Sequence, residues 1–231
     1  MWEFIGQAEL LGRSWPPLTV VLETLLDPDR ADLHQRALMA TLREGVTGFL
    51  WGSGLAVGLA VVASLSPLTQ QSADGFAVLV QAVPIVALGP IMISVLERDL
   101  VPIVLAAVAS FFVVFVATTS GLTSARTQHH ELFTVYGAGR ARRLLRLRIP
   151  YALPAIGEGL RLAAPASILG AVIGEWFGTE SGVGPLLVVS MQRFQINELW
   201  AAGVLGAIPA IGLYAVASGA AGGMRARFGD V

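Results

Sequence analysis

Residues 45–65 read GVTGFLWGSGLAVGLAVVASL, a run with no charged side chain. Roughly 30 Å of hydrocarbon divided by the 1.5 Å rise of a helix asks for about 20 apolar residues, so this run is long enough to cross a bilayer as one helix. Its small residues, Gly48, Gly52, Ser53, Gly54 and Gly58, are expected on one side. There they let a neighbouring backbone come close, in a solvent that gives helices no hydrophobic reason to associate. Four further segments of similar length and character lie at about 76–96, 101–119, 151–174 and 199–223. The sequence therefore predicts an all-α membrane protein, a five-span transmembrane helix bundle.

Composition agrees. Of 231 residues, 55% are hydrophobic and 13% charged, against roughly 25% charged in an ordinary soluble domain. All 15 basic residues are arginines. Without lysine there is no Walker A motif, whose lysine reaches the terminal phosphates of ATP, so this chain is not a P-loop ATPase. The absence of cysteine excludes disulfides, thiolate catalysis and Cys-based zinc sites. In a membrane protein what matters is which loop carries the arginines.

That loop is 120–150, polar and rich in arginine: Arg126, Arg140, Arg142, Arg143, Arg146 and Arg148. Cytoplasmic loops hold the excess of basic residues, so this one is expected in the cytoplasm. Alternation then places Arg225 and Arg227 inside, and the N-terminal 43 residues, the Glu97 to Asp99 turn and residues 175–198 outside. The expected division is an amphipathic extracytoplasmic segment at 1–43, a transmembrane domain at 44–224 and a cytoplasmic tail at 225–231. The first has apolar clusters (Trp2, Phe4, Ile5, then 18–26) broken by charges and by Pro16 and Pro17. It is too interrupted to span and lacks the plan of a signal peptide, which leaves amphipathic helices lying on the bundle or the interface. In the second span Pro84, Gly89 and Pro90 are expected to kink the helix, which lipid tolerates where neighbours or water satisfy the freed carbonyls.

Residues 131–150 read ELFTVYGAGRARRLLRLRIP. A short helical stretch precedes Gly137, and a basic stretch, Arg140 to Ile149, follows Gly137-Ala138-Gly139. Both glycines permit positive φ and a sharp turn, so two short helices at an angle are predicted. In the second, Leu144, Leu145 and Leu147 interleave with arginines, a pattern suited to a membrane interface with guanidinium groups on anionic lipid. Pro150 fits the first turn of the fourth span, where a missing N–H is harmless.

This segment resembles the EAA loop of ABC importer permeases, in which a Glu is followed six residues later by Gly, ten further on by an aliphatic residue, then by aliphatic-Pro. Here those positions are Glu131, Gly137, Leu147, Ile149 and Pro150. The continuation, LPAIGEGLRLAAPASILGAVIGEWFG at 153–178 and SGVGPLL at 181–187, is similar to the nitrate, sulfonate and taurine permease group, and the likeness covers roughly residues 40 to 224. Two alanines of the motif are replaced by Leu132 and Phe133, which enlarges the surface offered to a partner. The group's usual additional N-terminal span is not found ahead of Trp15.

The resemblance implies a type I ABC importer permease fold with a cytoplasmic coupling-helix loop, in a multi-pass protein of the bacterial inner membrane. It also implies a role in importing a small solute such as nitrate, a sulfonate, taurine or a pyrimidine precursor. Implied partners are an ABC ATPase dimer that holds ATP and Mg, a second permease copy (the same chain or a different one), an extracytoplasmic substrate-binding protein and membrane lipid. No nucleic acid, and no cofactor or metal within this chain, is expected. ATPase coupling would fall to Glu131, Leu132, Phe133, Tyr136, Gly137, Ala138, Gly139, Arg140, Leu147, Ile149 and Pro150. Candidates for the path or its outer mouth are Pro84, Gly89, Glu158, Arg161 and Glu175.

Plainer readings stand beside these. The arginine run serves equally as a topology and lipid anchor. Glu158 and Arg161, three apart on one helix face, are spaced to pair and to reach the headgroups. Glu175 sits where a helix end meets solvent. His129 and His130 are adjacent, point apart on a helix and make a poor metal pair. An intramembrane enzyme would need polar catalytic groups at membrane depth, yet all three histidines fall outside the predicted spans. An ion channel or a non-transporting scaffold subunit is the remaining alternative.

Overall fold

The computed structural model describes residues 1–10, 12, 14–65 and 83–228. Ten α-helices occur among them: α1 (Trp2–Gln7), α2 (Leu18–Leu25), α3 (Ala31–Ala63), α4 (Ile85–Val95), α5 (Val101–Thr123), α6 (Thr127–Val135), α7 (Arg140–Arg143), α8 (Ile149–Glu175), α9 (Val183–Gln192) and α10 (Ile196–Phe228). A π-helical turn, Leu144–Arg148, joins α7 to α8. No strand occurs among the described residues.

Among the described residues four helical stretches are long and apolar enough to cross a membrane: Pro28–Ala63, Arg98–Thr123, Arg140–Glu175 and Ile196–Phe228. They contain the predicted spans at 101–119, 151–174 and 199–223, and all of the one at 45–65 but its last two residues, which lie in a turn. Of the span expected at 76–96, residues 83–96 are described and hold α4; residues 76–82 lie outside the described residues. Pro84 is the N-cap of α4, with extended backbone (φ −60°, ψ 122°), and Pro90 lies inside the helix.

α3 begins well before the apolar run. Its 33 residues make a rod of about 50 Å at 1.5 Å per residue, longer than the hydrocarbon layer. The early turns carry buried His34, Ala37 and Thr41, which pack on the rest of the bundle and hold a polar stretch helical. The N-terminal segment folds as two short helices against the same end. Trp2, Trp15 and Trp200 form an edge-on aromatic cluster with centroids 4.6–5.8 Å apart, and the Trp200 indole N–H donates to the Ser14 carbonyl at 3.0 Å.

Helix direction follows from pairs at the two ends. Thr41 of α3 meets Glu175 of α8, and Ser64, the C-cap of α3, meets Arg148 just ahead of α8. α3 and α8 are therefore antiparallel. Pro102 faces Gly174, and Gly121 faces Ala152, so α5 also opposes α8. Glu158 with Arg225, and Gly157 against Ala221, give α10 the same sense as α3 and α5. Among the four long helices described, α8 runs the other way and packs on the other three.

Small residues decide how close these helices come. A Cβ at Gly170 would stand 2.7 Å from the Leu105 carbonyl oxygen, and one at Gly121 would stand 2.9 Å from Ala152 Cα. Gly48 and Gly52 of α3 are likewise filled by α5 backbone and side chains. The expectation that Gly54 and Gly58 share this face is corrected: nothing lies within 4 Å of a Cβ at either. With about 100° of turn per residue, position 54 is roughly opposite 48 and 52, and the stripe instead continues through buried Ala56 and Ala60. Those alanines join Val114, Phe115, Leu122, Leu144, Ala152, Ile156 and Ala163 in the largest apolar cluster.

Candidate functional site

At the end of the bundle where α5 stops and α8 starts, α6 stands apart from the four long helices. Its C-terminus is closed by the backbone. Gly137 has φ +64°, its N–H donates to the Thr134 carbonyl at 3.0 Å, and the Ala138 N–H donates to Phe133 at 2.9 Å. This is a Schellman closure, whose left-handed position favours a residue without a Cβ. Gly139 differs from expectation: its φ is −64°, and it serves as the N-cap of α7, so one glycine makes the turn and the other starts the next helix.

The predicted second short helix is not separate. α7 passes through the π turn into α8 without a break at Pro150, which sits in the first turn of α8. A proline cannot give an N–H to the carbonyl four residues back and crowds it. Widening the preceding turn is a usual way to absorb that defect. Leu144 and Leu147 are buried by this turn, whereas Leu145, Arg142 and Arg146 face outward.

Side chains tie the elbow to the bundle. The Tyr151 hydroxyl meets His129 Nδ1 at 2.6 Å, Arg143 Nη2 donates to Thr134 Oγ1 at 3.1 Å, and Arg148 Nη1 donates to the Ser64 carbonyl at 2.9 Å. The outer surface of α6 is left bare. Leu132, Val135 and Tyr136 are 50%, 84% and 78% exposed; at i, i+3 and i+4 they share one helix face. Glu131 is exposed beside them, Phe133 is half-buried, and a Cβ at Gly137 or Gly139 would meet nothing within 4 Å. An exposed apolar ridge on a short helix at the polar end of a bundle is of the kind that other proteins cover.

Residues 48–228 match the family described as binding-protein-dependent transport system inner membrane component. The chain belongs to that family. The permease is 30% identical over 197 residues to the formylaminopyrimidine transport permease protein ThiX of Halalkalibacterium halodurans, covering 80% of this chain and 74% of the relative. It is 33% identical over 175 residues to a protein described as an ABC transporter permease in Haemophilus influenzae, covering 74% and 71%. A Bacillus subtilis protein described as the aliphatic sulfonates transport permease SsuC is 28% identical over 214 residues, covering 90% and 76%. The permease is thus a multi-pass membrane subunit of the ABC importer type, a transport component and not itself an enzyme.

The other candidates are dispersed. Arg161 Nη2 pairs with Glu158 Oε2 at 2.9 Å, and Arg225 pairs with the other carboxylate oxygen, so the two residues three apart do meet and a third from α10 joins them. Gly89 packs against the Phe177 ring, which stands where a side chain would go. Glu175 does not lie at a solvated helix end. It is 1% exposed and accepts the Thr41 hydroxyl at 2.6 Å and the Gly184 N–H at 2.6 Å. The Thr41 hydroxyl in turn accepts the Val183 N–H at 2.9 Å. The physical reason is the fold of the following loop: Gly182, at φ +125°, folds α9 back over the end of α8, and its orphan N–H groups take the carboxylate as a cap.

A second polar junction at that end escaped the sequence reading. Glu198 at the start of α10 is buried and takes His34 Nε2 at 2.9 Å and the Arg30 guanidinium, while His34 Nδ1 faces the Leu25 carbonyl at 3.1 Å. Neither partner is within a hundred residues of Glu198 in sequence, so no local pattern announces the contact.

Proposed function

We propose that this chain is the translocating subunit of an ATP-driven importer, forming the path for a small solute delivered by an external binding protein. On this reading the 131–150 elbow lies in the cytosol and docks on a separate ATPase, which holds ATP and Mg. The observation that carries it is the bare ridge of Leu132, Val135 and Tyr136 beside an unobstructed Gly137. Its neighbour, the arginine-rich 140–148 stretch, supports the cytosolic side by the basic bias of inner loops. The relatives' names, which include a formylaminopyrimidine and a sulfonate permease, support a small organic or anionic solute. Glu131, Leu132, Phe133, Tyr136, Gly137, Ala138, Gly139 and Arg140 would form the docked surface, with Leu147, Ile149 and Pro150 carrying motion into α8. A second permease copy, identical or different, would complete the path, with Pro84, Glu158 and Arg161 as its candidate lining or mouth.

The work of such a subunit is differential affinity. ATP binding and solute release must each favour a different arrangement of the pair, since a ligand shifts an equilibrium only by its preference between states. Copurification tests the reading. The intact permease should retain its ATPase in fixed ratio, and Val135→Asp should release it while the membrane protein remains monodisperse. A permease that transports or conducts with no ATPase bound would replace this reading with a channel.

A further inference from the structure

α8 is driven by the elbow through covalent continuity, but α3 is not: its nearest end, Ser64, lies 84 residues away from Arg148. Across that gap the elbow and the end of α3 share one apolar cluster and are joined by one direct hydrogen bond. Leu144 of the π turn is buried in the same apolar cluster as Ala56 and Ala60 of α3. Beside it, Arg148, half-buried where Arg142 and Arg146 are exposed, donates at 2.9 Å to the Ser64 carbonyl. Ser64 is the C-cap of α3, where carbonyls lack helical partners and the helix dipole favours a cation.

We propose that Arg148 is a positioning residue that makes the end of α3 follow the elbow, so that one push from the ATPase moves two spans as one body. The proposal rests on the docking role given to 131–150 above. A greasy contact alone lets surfaces slide; a charge-assisted hydrogen bond to a helix terminus fixes register. A guanidinium needed only to hold lipid would be interchangeable with its exposed neighbour Arg146.

The chain has no cysteine, so Val62→Cys and Arg142→Cys, both at exposed positions, are its own two labelling sites. In the complete transporter in proteoliposomes, the distance between the labels should stay the same in the nucleotide-free and vanadate-trapped states. In Arg148→Ala it should shift or broaden on trapping. In the transporter without labels, Arg148→Ala should lower transport about tenfold, an ordinary coupling factor, with the ATPase still bound, while Arg146→Ala behaves as the parent. Arg148→Gln, which keeps an amide donor, takes its place if the alanine variant does not assemble. Normal transport and an unchanged distance in the variant overturn the proposal, as does an equal loss in Arg146→Ala. A wild-type distance that itself changes through the cycle overturns it with no variant at all. Loss of the ATPase from the unmutated permease defeats the docking reading instead.

Discussion

Replacing Gly137 separates backbone strain from occupied space. The residue holds φ +64°, a region that costs any Cβ-bearing residue about 1–2 kcal/mol. For a chain of this size that is a fall in melting temperature of about 2–8 °C. Alanine and leucine incur the same backbone cost, and the Cβ that both add meets no atom within 4 Å. Both variants should therefore fold and insert with similar, slightly lowered midpoints. They differ only in what they project outward. If that space receives an ATPase cleft, leucine over-fills it at about 1–3 kcal/mol, which weakens docking roughly 5- to 160-fold. Hydrolysis stimulated by loaded binding protein, measured in proteoliposomes across an ATPase titration, should be near normal for Gly137→Ala and lost for Gly137→Leu. Equal losses in both would assign the effect to the turn, and equal retention in both would remove Gly137 from the docked surface.

Three further outcomes follow from the packing. Glu175→Ala leaves the Gly184 N–H and the Thr41 hydroxyl without their buried acceptor, at about 1–3 kcal/mol each; thermal unfolding in detergent should show a fall of several degrees, and an unmoved midpoint would contradict the buried cap. Gly170→Ala drives a methyl to 2.7 Å from the Leu105 carbonyl and should cost about 1–3 kcal/mol, whereas Gly54→Ala, with open space around it, should be neutral or gain up to about 1 kcal/mol of helix propensity. The same unfolding assay separates them, and similar behaviour of the two would refute the assigned helix faces. Glu3 accepts the Thr19 N–H and hydroxyl, and these bonds hold its carboxyl below the usual range. Because folding lowers that value, the contribution is complete above about 4.3, the unperturbed glutamate value, and is lost as pH falls through the lowered one. Tryptophan emission from the Trp2, Trp15 and Trp200 cluster should change in acid, and Glu3→Gln should abolish that dependence.

The helical class and four of the spans were legible because a bilayer sets the length of an apolar run almost independently of what the run packs against. The turn at Gly137 and the helix start at Pro150 were legible for a different reason: a turn glycine and a first-turn proline act locally, within a few residues. What could not be read was anything made by distant pairs. Glu175 looks like a solvated helix end until Gly182 folds α9 back over it. His34 and Glu198 look like unrelated polar residues until two helix starts meet. Arg148 is one of several arginines in its stretch, and only the position of Ser64 singles it out. Gly54 and Gly58 were placed with Gly48 and Gly52 by proximity along the chain, where helical phase assigns them to the far side.

The cap on Glu175 also has a meaning in time. Thr41 and Glu175 are 134 positions apart, and the N–H that completes the junction belongs to residue 184. A ribosome feeding this chain into a membrane delivers the hydroxyl first and its acceptor 134 residues later. Until then α3 has no polar latch on α8 at that end, so this corner of the bundle is assembled after insertion, and a nascent chain halted before residue 184 lacks it.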